Sequence, residues 1–578
     1  MSEMHEMNPA DIAAKKALNE MFECIRARQS FRLEAGAGAG KTYSLVKALK
    51  FIVDNYGTTF ERYNQRVACI TYTNIAKDEI VSRTDGHPVV YASTIHSFCW
   101  GLIKSFQPVL RTKVSEIEAW SEKLSEVGGV GTRNIDYELG HRHVSETRIL
   151  LHHDDVLTLT VALMEQIKFC RLFAARFPVL FIDEYQDTNS SFADSIIEHY
   201  ITLGVGPLIG LFGDSWQKIY NDGKGLIDHE NIKYIGKGAN FRSDKNIVEV
   251  LNRIRASLPQ EARDPSSTGV VRVYHTNAWP GNRRTGSHWA GDLPADVARD
   301  SLERLRQYLM SEGWDFSPQT TKILMLTHNV LAEEQSYVQI ANAFRYNESF
   351  LKKEDPYISF LIDTVEPARV AFQNGRYAEM FTVLGSQNRR IESLQDKQGW
   401  AKDMRSLTAL CDKGTIGEVL DLLNKTRRPR LPEAVKKTEA KLTSASDEEI
   451  KESLLLSQVI KLRAVAYSEL VALALFLNNH TPFATKHGVK GAEFENVLVV
   501  FGRGWNHYDW NKFLEWFPDG FPVEKAQFYE RNRNLFYVAC SRPKKRLVLL
   551  FTQKLSEEAL GTLGSWFGAE NVHSMPYV

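Results

Sequence analysis

No stretch of this 578-residue sequence is apolar for long enough to cross a bilayer. Its greasiest run, Leu470 to Leu477, falls far short of the ~20 residues that a spanning helix needs. The N-terminal MSEMHEMNPADIAAKK lacks the basic-then-apolar order of a secretory leader. Cysteine is scarce and scattered: the six residues at 24, 69, 99, 170, 411 and 540 form no CxxC pair and no Cys/His cluster. That excludes a disulfide framework and a zinc site, and it predicts small buried thiols in a reducing compartment. An excess of charge of one sign is also missing, since 71 Lys and Arg balance 71 Asp and Glu. A binder driven by overall positive charge is excluded, while a local basic groove is not. Internal repeats and low-complexity tracts are absent. What remains is an ordinary globular composition, long enough for about four domains, with no membrane partner and a cytoplasmic location expected.

What is present begins at Ser30 to Glu34, which reads as a short strand. It runs into Ala35-Gly36-Ala37-Gly38-Ala39-Gly40-Lys41-Thr42. The stretch Tyr43 to Val53 then carries Leu45, Leu49 and Ile52 at helical spacing. Strand, small-residue loop, Gly-Lys-Thr and helix in that order match the phosphate-loop template, with Ala35 in place of its first glycine. Residues this small let backbone N–H groups close around phosphate oxygens at a helix N-terminus. Lys41 would reach the terminal phosphates, and the Thr42 hydroxyl would ligate Mg²⁺.

A second run, Phe177 to Ile182, is continuously apolar, as a strand buried on both faces of a parallel sheet should be. It ends in Asp183-Glu184-Tyr185-Gln186-Asp187. An acidic pair at the carboxyl end of a core strand lies where open α/β sheets bind ligands. Asp183 is placed to hold Mg²⁺, and Glu184 to orient or deprotonate an attacking water. The expected chemistry is hydrolysis of ATP.

With these residues placed, the chain resembles the UvrD/Rep family of superfamily 1 DNA helicases. Thr71-Tyr72-Thr73-Asn74 is similar to the family's TFTN segment, and Ser93 to Phe98 to its TxHSF segment. His153-Asp154-Asp155-Val156-Leu157 resembles part of DFDDLL, and Gly213 to Tyr220 resembles GDxDQSIY. Asn240-Phe241-Arg242-Ser243 is similar to NYRS, His487 to Phe494 to HSAKGLEF, and Leu535 to Arg542 to LLYVALTR. The resemblance implies an α/β fold: two RecA-like cores with parallel sheets, each interrupted by a mainly helical insertion. Its expected boundaries are 1–100 with 172–240 for the first core and 101–171 for its small insertion. The second core is expected at 241–329 with 483–578, and its insertion at 330–482.

The resemblance also assigns roles. Gln217 corresponds to a γ-phosphate and water sensor, Arg242 and Arg542 to arginines that reach the γ-phosphate, Phe241 to the adenine stack and Glu493 to a ribose contact. Tyr72 and Tyr220 would stack on bases. Thr73, Asn74, His96, Ser97, Thr485 and His487 lie where loops would contact DNA phosphates. The basic run Lys425 to Lys441 reads instead as a solvated charged loop.

Three departures stand out. No Gln occurs between Met1 and Arg28, where the family reads adenine, so selectivity for ATP is open. Asp222 occupies the place of a base-stacking Trp, and Trp216 lies nearby but at a different phase, so the base grip is expected to be weaker or differently built. Arg531 and Asn532 stand where the last motif is normally acidic. The leading expectation is a Mg²⁺- and ATP-dependent 3′–5′ translocase or helicase on single-stranded or tailed duplex DNA. The alternative is an ATP- and DNA-responsive subunit that signals to a partner nuclease without productive unwinding, as compact relatives occur in anti-phage systems such as Gabija. A GTPase is disfavoured by the lack of an NKxD-type guanine reader.

Overall fold

The computed structural model describes residues 8–138, 142–204, 206–218, 222–325, 331–332, 334–385, 391, 393–478, 481–484, 492–503 and 508–576. The first sheet is built from β1 (Phe31–Ala35), β2 (Val67–Thr71), β3 (Val90–Thr94), β7 (Val179–Asp183), β8 (Leu208–Gly213) and β9 (Lys233–Lys237). All pairings are parallel, in the order β3-β2-β7-β8-β1-β9. Leu180, Phe181 and Ile182 are at most 2% exposed, as their unbroken apolar run requires. Burial of each such side chain contributes about 1.5–3 kcal/mol. Two helices pack beside β1: α1 (Pro9–Ala27) precedes it and α2 (Lys41–Arg62) follows the phosphate loop. Leu45, Leu49 and Ile52 of α2 are fully buried against the sheet.

Between β3 and β7 the chain leaves the sheet as helices, beginning with α4 (Ile95–Ile103), and as a small sheet not expected there. Its strands are β4 (Asn134–Tyr137), β5 (His143–Val144) and β6 (Arg148–Leu151), in the order β4-β6-β5. Strands of two to four residues leave too little alternation to be read from sequence. Asp155 holds this insertion together from inside: it accepts from Trp120 Nε1 at 3.0 Å and from Arg142 Nη2 at 2.6 Å.

A short pair, β10 (Ala239–Asn240) with β11 (Glu261–Ala262), follows β9. The second six-stranded sheet comprises β12 (Val270–His275), β13 (Thr321–Met325), β14 (Phe483–Ala484), β15 (Phe494–Phe501), β16 (Pro543–Phe551) and β17 (Val572–Ser574). It is also parallel throughout, in the order β14-β13-β15-β16-β12-β17. The segment between β13 and β14 is helical among its described residues, and the helix Glu433–Ser444 within it buries only Val435. Lys425, Arg427, Arg430, Lys436, Lys437 and Lys441 are accordingly exposed, as a solvated charged segment should be. No helix among the described residues is long and apolar enough to cross a membrane.

Candidate nucleotide site and nucleic-acid face

The strand order places the carboxyl ends of β1, β7 and β8 side by side, so three motifs meet at one edge. After β1 the phosphate loop turns through Gly38 and Gly40, whose φ angles of 72° and 73° lie in the left-handed region that favours glycine. A Cβ on Gly38 would lie 2.7 Å from both Arg242 Cβ and Asn240 Oδ1. Thus Ala35 at the first template position is tolerated, whereas Gly38 and Gly40 are required. Lys41 opens α2 and lies 3.7 Å from the Glu184 carboxylate across the site.

Asp183 ends β7 at 8% exposure. Glu184 follows with a left-handed φ of 50°, uncommon for a residue with a Cβ, and this turns its carboxylate back toward Lys41. Gln186 Nε2 donates to the same carboxylate. At the end of β8, Asp214 accepts from Gln217 Nε2 at 2.7 Å, so Gln217 is held with its other amide atom free to face the second sheet. That atom, Gln217 Oε1, accepts from Arg542 Nη2 at 3.2 Å.

The second half of the site arrives from the other side. Phe241 N donates to Gly38 O at 2.9 Å. Arg242 donates to Ser541 O at 2.9 Å and to Glu493 at 3.1 Å. Glu493 is thus engaged by Arg242 and by Lys544; burial opposes its ionisation, but these two cations hold its carboxyl below the ordinary range. Arg542 is 1% exposed. Burial, reinforced by the nearby Arg242 charge, pushes its guanidinium below its ordinary value. Such a concentration of positive charge is the field that an anionic phosphate would relieve. The oxygen donors Thr42 and Asp183 at its edge are the hard ligands that Mg²⁺ takes. The residues present therefore fit a Mg-bound nucleoside triphosphate. Phe241 is partly buried against Ala10, Ala14 and Ala239, so its ring meets the start of α1 through alanines rather than through a glutamine.

Sequence reasoning missed a second layer. Gln260 is buried and donates to Ala37 O at 3.1 Å and to Ala239 O at 2.7 Å; Asn240 donates to Ala37 O at 3.2 Å. Both amides brace the phosphate loop from outside. Arg255 bridges Glu34 (2.9 Å) and Asp214 (2.5 Å), with all three side chains at most 4% exposed. Nothing in the local sequence around Gln260 or Arg255 marks these roles.

Trp216, close to the missing stacking position but at a different phase, is engaged by side chains of the protein itself. Arg533 lies 4.3 Å and Arg255 5.2 Å from its ring centroid, and the Tyr537 ring meets it edge-on at 5.5 Å. Asn534 adds donations to Ser215 O and Lys218 O. The indole therefore ties the end of β8 to the helix Ala526–Cys540. Asn532, which stands where the last motif is normally acidic, is fully buried and accepts from Asp509 N.

Of the residues expected to meet DNA, Tyr72, Thr73, Asn74, His96 and Ser97 are described, and they follow the carboxyl ends of β2 and β3 at the same edge. Tyr72, directly after β2, is 42% exposed. Thr73 caps the helix α3 (Asn74–Arg83) by accepting from Ala76 N, and Asn74 is exposed beside it. Ser97 is exposed on the first turn of α4 and accepts from Thr94 Oγ1. His96 packs 4.9 Å from the His153 ring. Burial, together with His153, pushes His96 down to about 4, so near neutral pH it is an uncharged hydrogen-bonding group. Asp222 is exposed in a loop strapped to Ser190 through its carbonyl, and its charge reaches His96. Tyr220, Thr485 and His487 lie outside the described residues.

Comparison with known proteins agrees with this geometry. Residues 19–222 match the AAA domain family, and residues 317–554 match the UvrD-like helicase C-terminal domain. The Gabija protein GajB of Bacillus cereus (strain HuB5-5) is 24% identical, across 94% of this chain and 96% of its own length. ATP-dependent DNA helicases PcrA of Staphylococcus epidermidis and Staphylococcus aureus are each 24% identical; the alignments cover 42% and 41% of this chain and 40% and 39% of theirs. The phosphate loop, Asp183, Glu184 and Gln217 fall inside the first match and Glu493 and Arg542 inside the second, so the chain is similar to the UvrD-like helicases on both sides of the nucleotide site.

Proposed function

We propose that the protein is a Mg²⁺-dependent ATP hydrolase that couples turnover to 3′–5′ movement along single-stranded DNA, with tailed duplex DNA as the substrate for unwinding. The observation that carries this reading is the Gln217–Arg542 contact at 3.2 Å, because it joins the hydrolytic edge of the first sheet to an arginine delivered by the second. We divide the chain accordingly into cores at 1–100 with 172–240 and 241–329 with 483–578, and insertions at 101–171 and 330–482.

In this reading the loop amides from Gly36 to Lys41 and the Lys41 ammonium hold the β- and γ-phosphates. Thr42 and Asp183 hold Mg²⁺, which supplies Lewis-acid polarisation of the phosphate oxygens when bound. Glu184 accepts a proton from water as its oxygen attacks the γ-phosphorus, the bond from that phosphorus to the β–γ bridging oxygen breaks so that ADP and phosphate leave, and Gln217 orients the water. Arg242 and Arg542 carry the charge that spreads over the equatorial oxygens. Phe241 stacks on the base and Glu493 meets the ribose. Tyr72 and Tyr220 stack on DNA bases, while Thr73, Asn74, His96, Ser97, Thr485 and His487 contact the backbone.

A second reading has a specific observation behind it. The partly buried Trp216 ring carries the Arg533 and Arg255 guanidiniums at 4.3 and 5.2 Å, and the exposed residue at the family's stacking position is Asp222, so the base grip is reduced. This favours an ATP- and DNA-responsive subunit acting on a partner nuclease, in keeping with the near full-length likeness to a Gabija protein. The discriminating experiment measures ATP hydrolysis with and without single-stranded DNA, and strand separation on 3′-tailed and 5′-tailed duplexes. A motor separates the 3′-tailed duplex; a regulatory subunit shows DNA-linked hydrolysis alone; hydrolysis indifferent to DNA sinks both.

A further inference from the structure

Lys237, the last residue of β9, is 0% exposed, and its amine is engaged by neutral groups. It donates to the Gly40 carbonyl at 3.2 Å and to the Ser44 hydroxyl at 2.8 Å, and Ser44 Oγ in turn donates to Gly40 O. Among the described residues no carboxylate pairs with it. The surroundings explain why. Ala35 is its register partner on β1, and Glu34, one residue back, is turned to Arg255, Tyr185 and Ser215. On α2 the titratable neighbour is Tyr43, whose ring centroid lies 5.8 Å from the amine and carries Lys47 at 5.3 Å. On α1, Asp11 is engaged by Asn8. A buried ammonium without a counter-ion is costly unless something anionic offsets it, and the anion-binding concavity next to it is the phosphate loop.

We propose that Lys237 is a second cation of the phosphate loop: a positioning residue that draws the Gly40 carbonyl outward and adds its charge to that of Lys41 when a polyphosphate is bound. The proposal deepens the nucleotide-site reading above and rests on it. It makes binding proton-linked. Burial alone pushes the Lys237 amine down to about 8, and a bound polyphosphate favours the charged form. Nucleotide binding then takes up a proton near that pH. The contribution of Lys237 to affinity is present below about 8 and is lost as pH rises through that value.

The test is calorimetry of Mg-ADP binding to the full chain at pH 7, 8 and 9, in two buffers of different ionisation enthalpy. The unmodified protein should take up a fraction of a proton at pH 8 and lose affinity about tenfold between pH 7 and pH 9. Lys237→Met should bind about tenfold more weakly at pH 7, with no proton uptake and a flat pH profile; Lys237→Arg should restore the pH 7 affinity. A pH profile that survives in Lys237→Met overturns the proposal. So does an affinity loss equal at pH 7 and pH 9, which would make Lys237 a brace only. Absence of proton uptake by the unmodified protein overturns it without any variant. Failure of the unmodified chain to bind Mg-ADP at any pH overturns the nucleotide-site reading, and the proposal with it.

Discussion

Replacing Trp216 with alanine separates a base-stacking role from the one its surroundings support. Arg533 lies 4.3 Å and Arg255 5.2 Å from the indole centroid, the Tyr537 ring meets it at 5.5 Å in a T-shaped contact, and it packs against the core of the second sheet. Each cation–π contact at a partly desolvated site contributes about 1 kcal/mol, so the two together are worth about 2 kcal/mol. That corresponds to about thirtyfold in the equilibrium between closed and parted cores. The closed arrangement is the one in which Gln217 meets Arg542, so Trp216→Ala should reduce kcat for ATP hydrolysis by an order of magnitude or more. Single-strand affinity, followed by fluorescence anisotropy without nucleotide, should change by less than about twofold, because no base stack worth ~1–3 kcal/mol is removed. The reasoning fails if the variant loses DNA affinity by tenfold or more while its hydrolysis without DNA is unchanged.

Other substitutions probe the remaining parts. Lys41→Ala should abolish turnover, because its ammonium is the one placed directly at the β- and γ-phosphates, whereas Lys237 stays tied to Gly40 O and Ser44 Oγ; near-normal hydrolysis by the folded variant would remove the phosphate-loop assignment. Glu184→Gln should retain Mg-ATP binding in an equilibrium assay and lose hydrolysis, since the water lacks its base. Loss of binding would instead place Glu184 in the metal shell. Arg255→Ala should destabilise the fold by about 3 kcal/mol in denaturant unfolding, as the buried Asp214 would lose its guanidinium and Glu34 would keep only the longer pair to Arg32 at 3.7 Å. Asp222→Trp removes a negative charge and adds a base stack, so single-strand affinity should rise about tenfold; a flat or lower affinity means that the strand does not pass over this loop.

The parts of the site that could be read from sequence are those in which chemistry and spacing coincide within a few residues. The loop from Ala35 to Thr42 and the run from Phe177 to Asp187 are contiguous, and their strand context is visible in the apolar pattern alone. What escaped depends on residues far apart in the chain. Trp216 looked available because its own segment says nothing of Arg533, which approaches from the helix Ala526–Cys540. Gln260 braces Ala37 only because β10 and β11 pair behind the loop. Lys237 is one more charged residue until the register of β9 on β1 sets it beside Ala35. The three-stranded sheet of the first insertion escaped for a local reason, its strands being too short to impose a period.

The claim that joins all of this is that one nucleotide site, completed across two cores, answers to DNA. Its most direct test is the steady-state rate of ATP hydrolysis by the purified chain, titrated with single-stranded DNA of mixed sequence at several salt concentrations. The rate should rise severalfold and saturate with DNA. The half-saturating concentration should climb with salt, as released counterions require, with a logarithmic slope of about −0.7 per contacted phosphate in the affinity. A rate that is the same at every DNA concentration, in a preparation that binds Mg-ATP, would contradict the account.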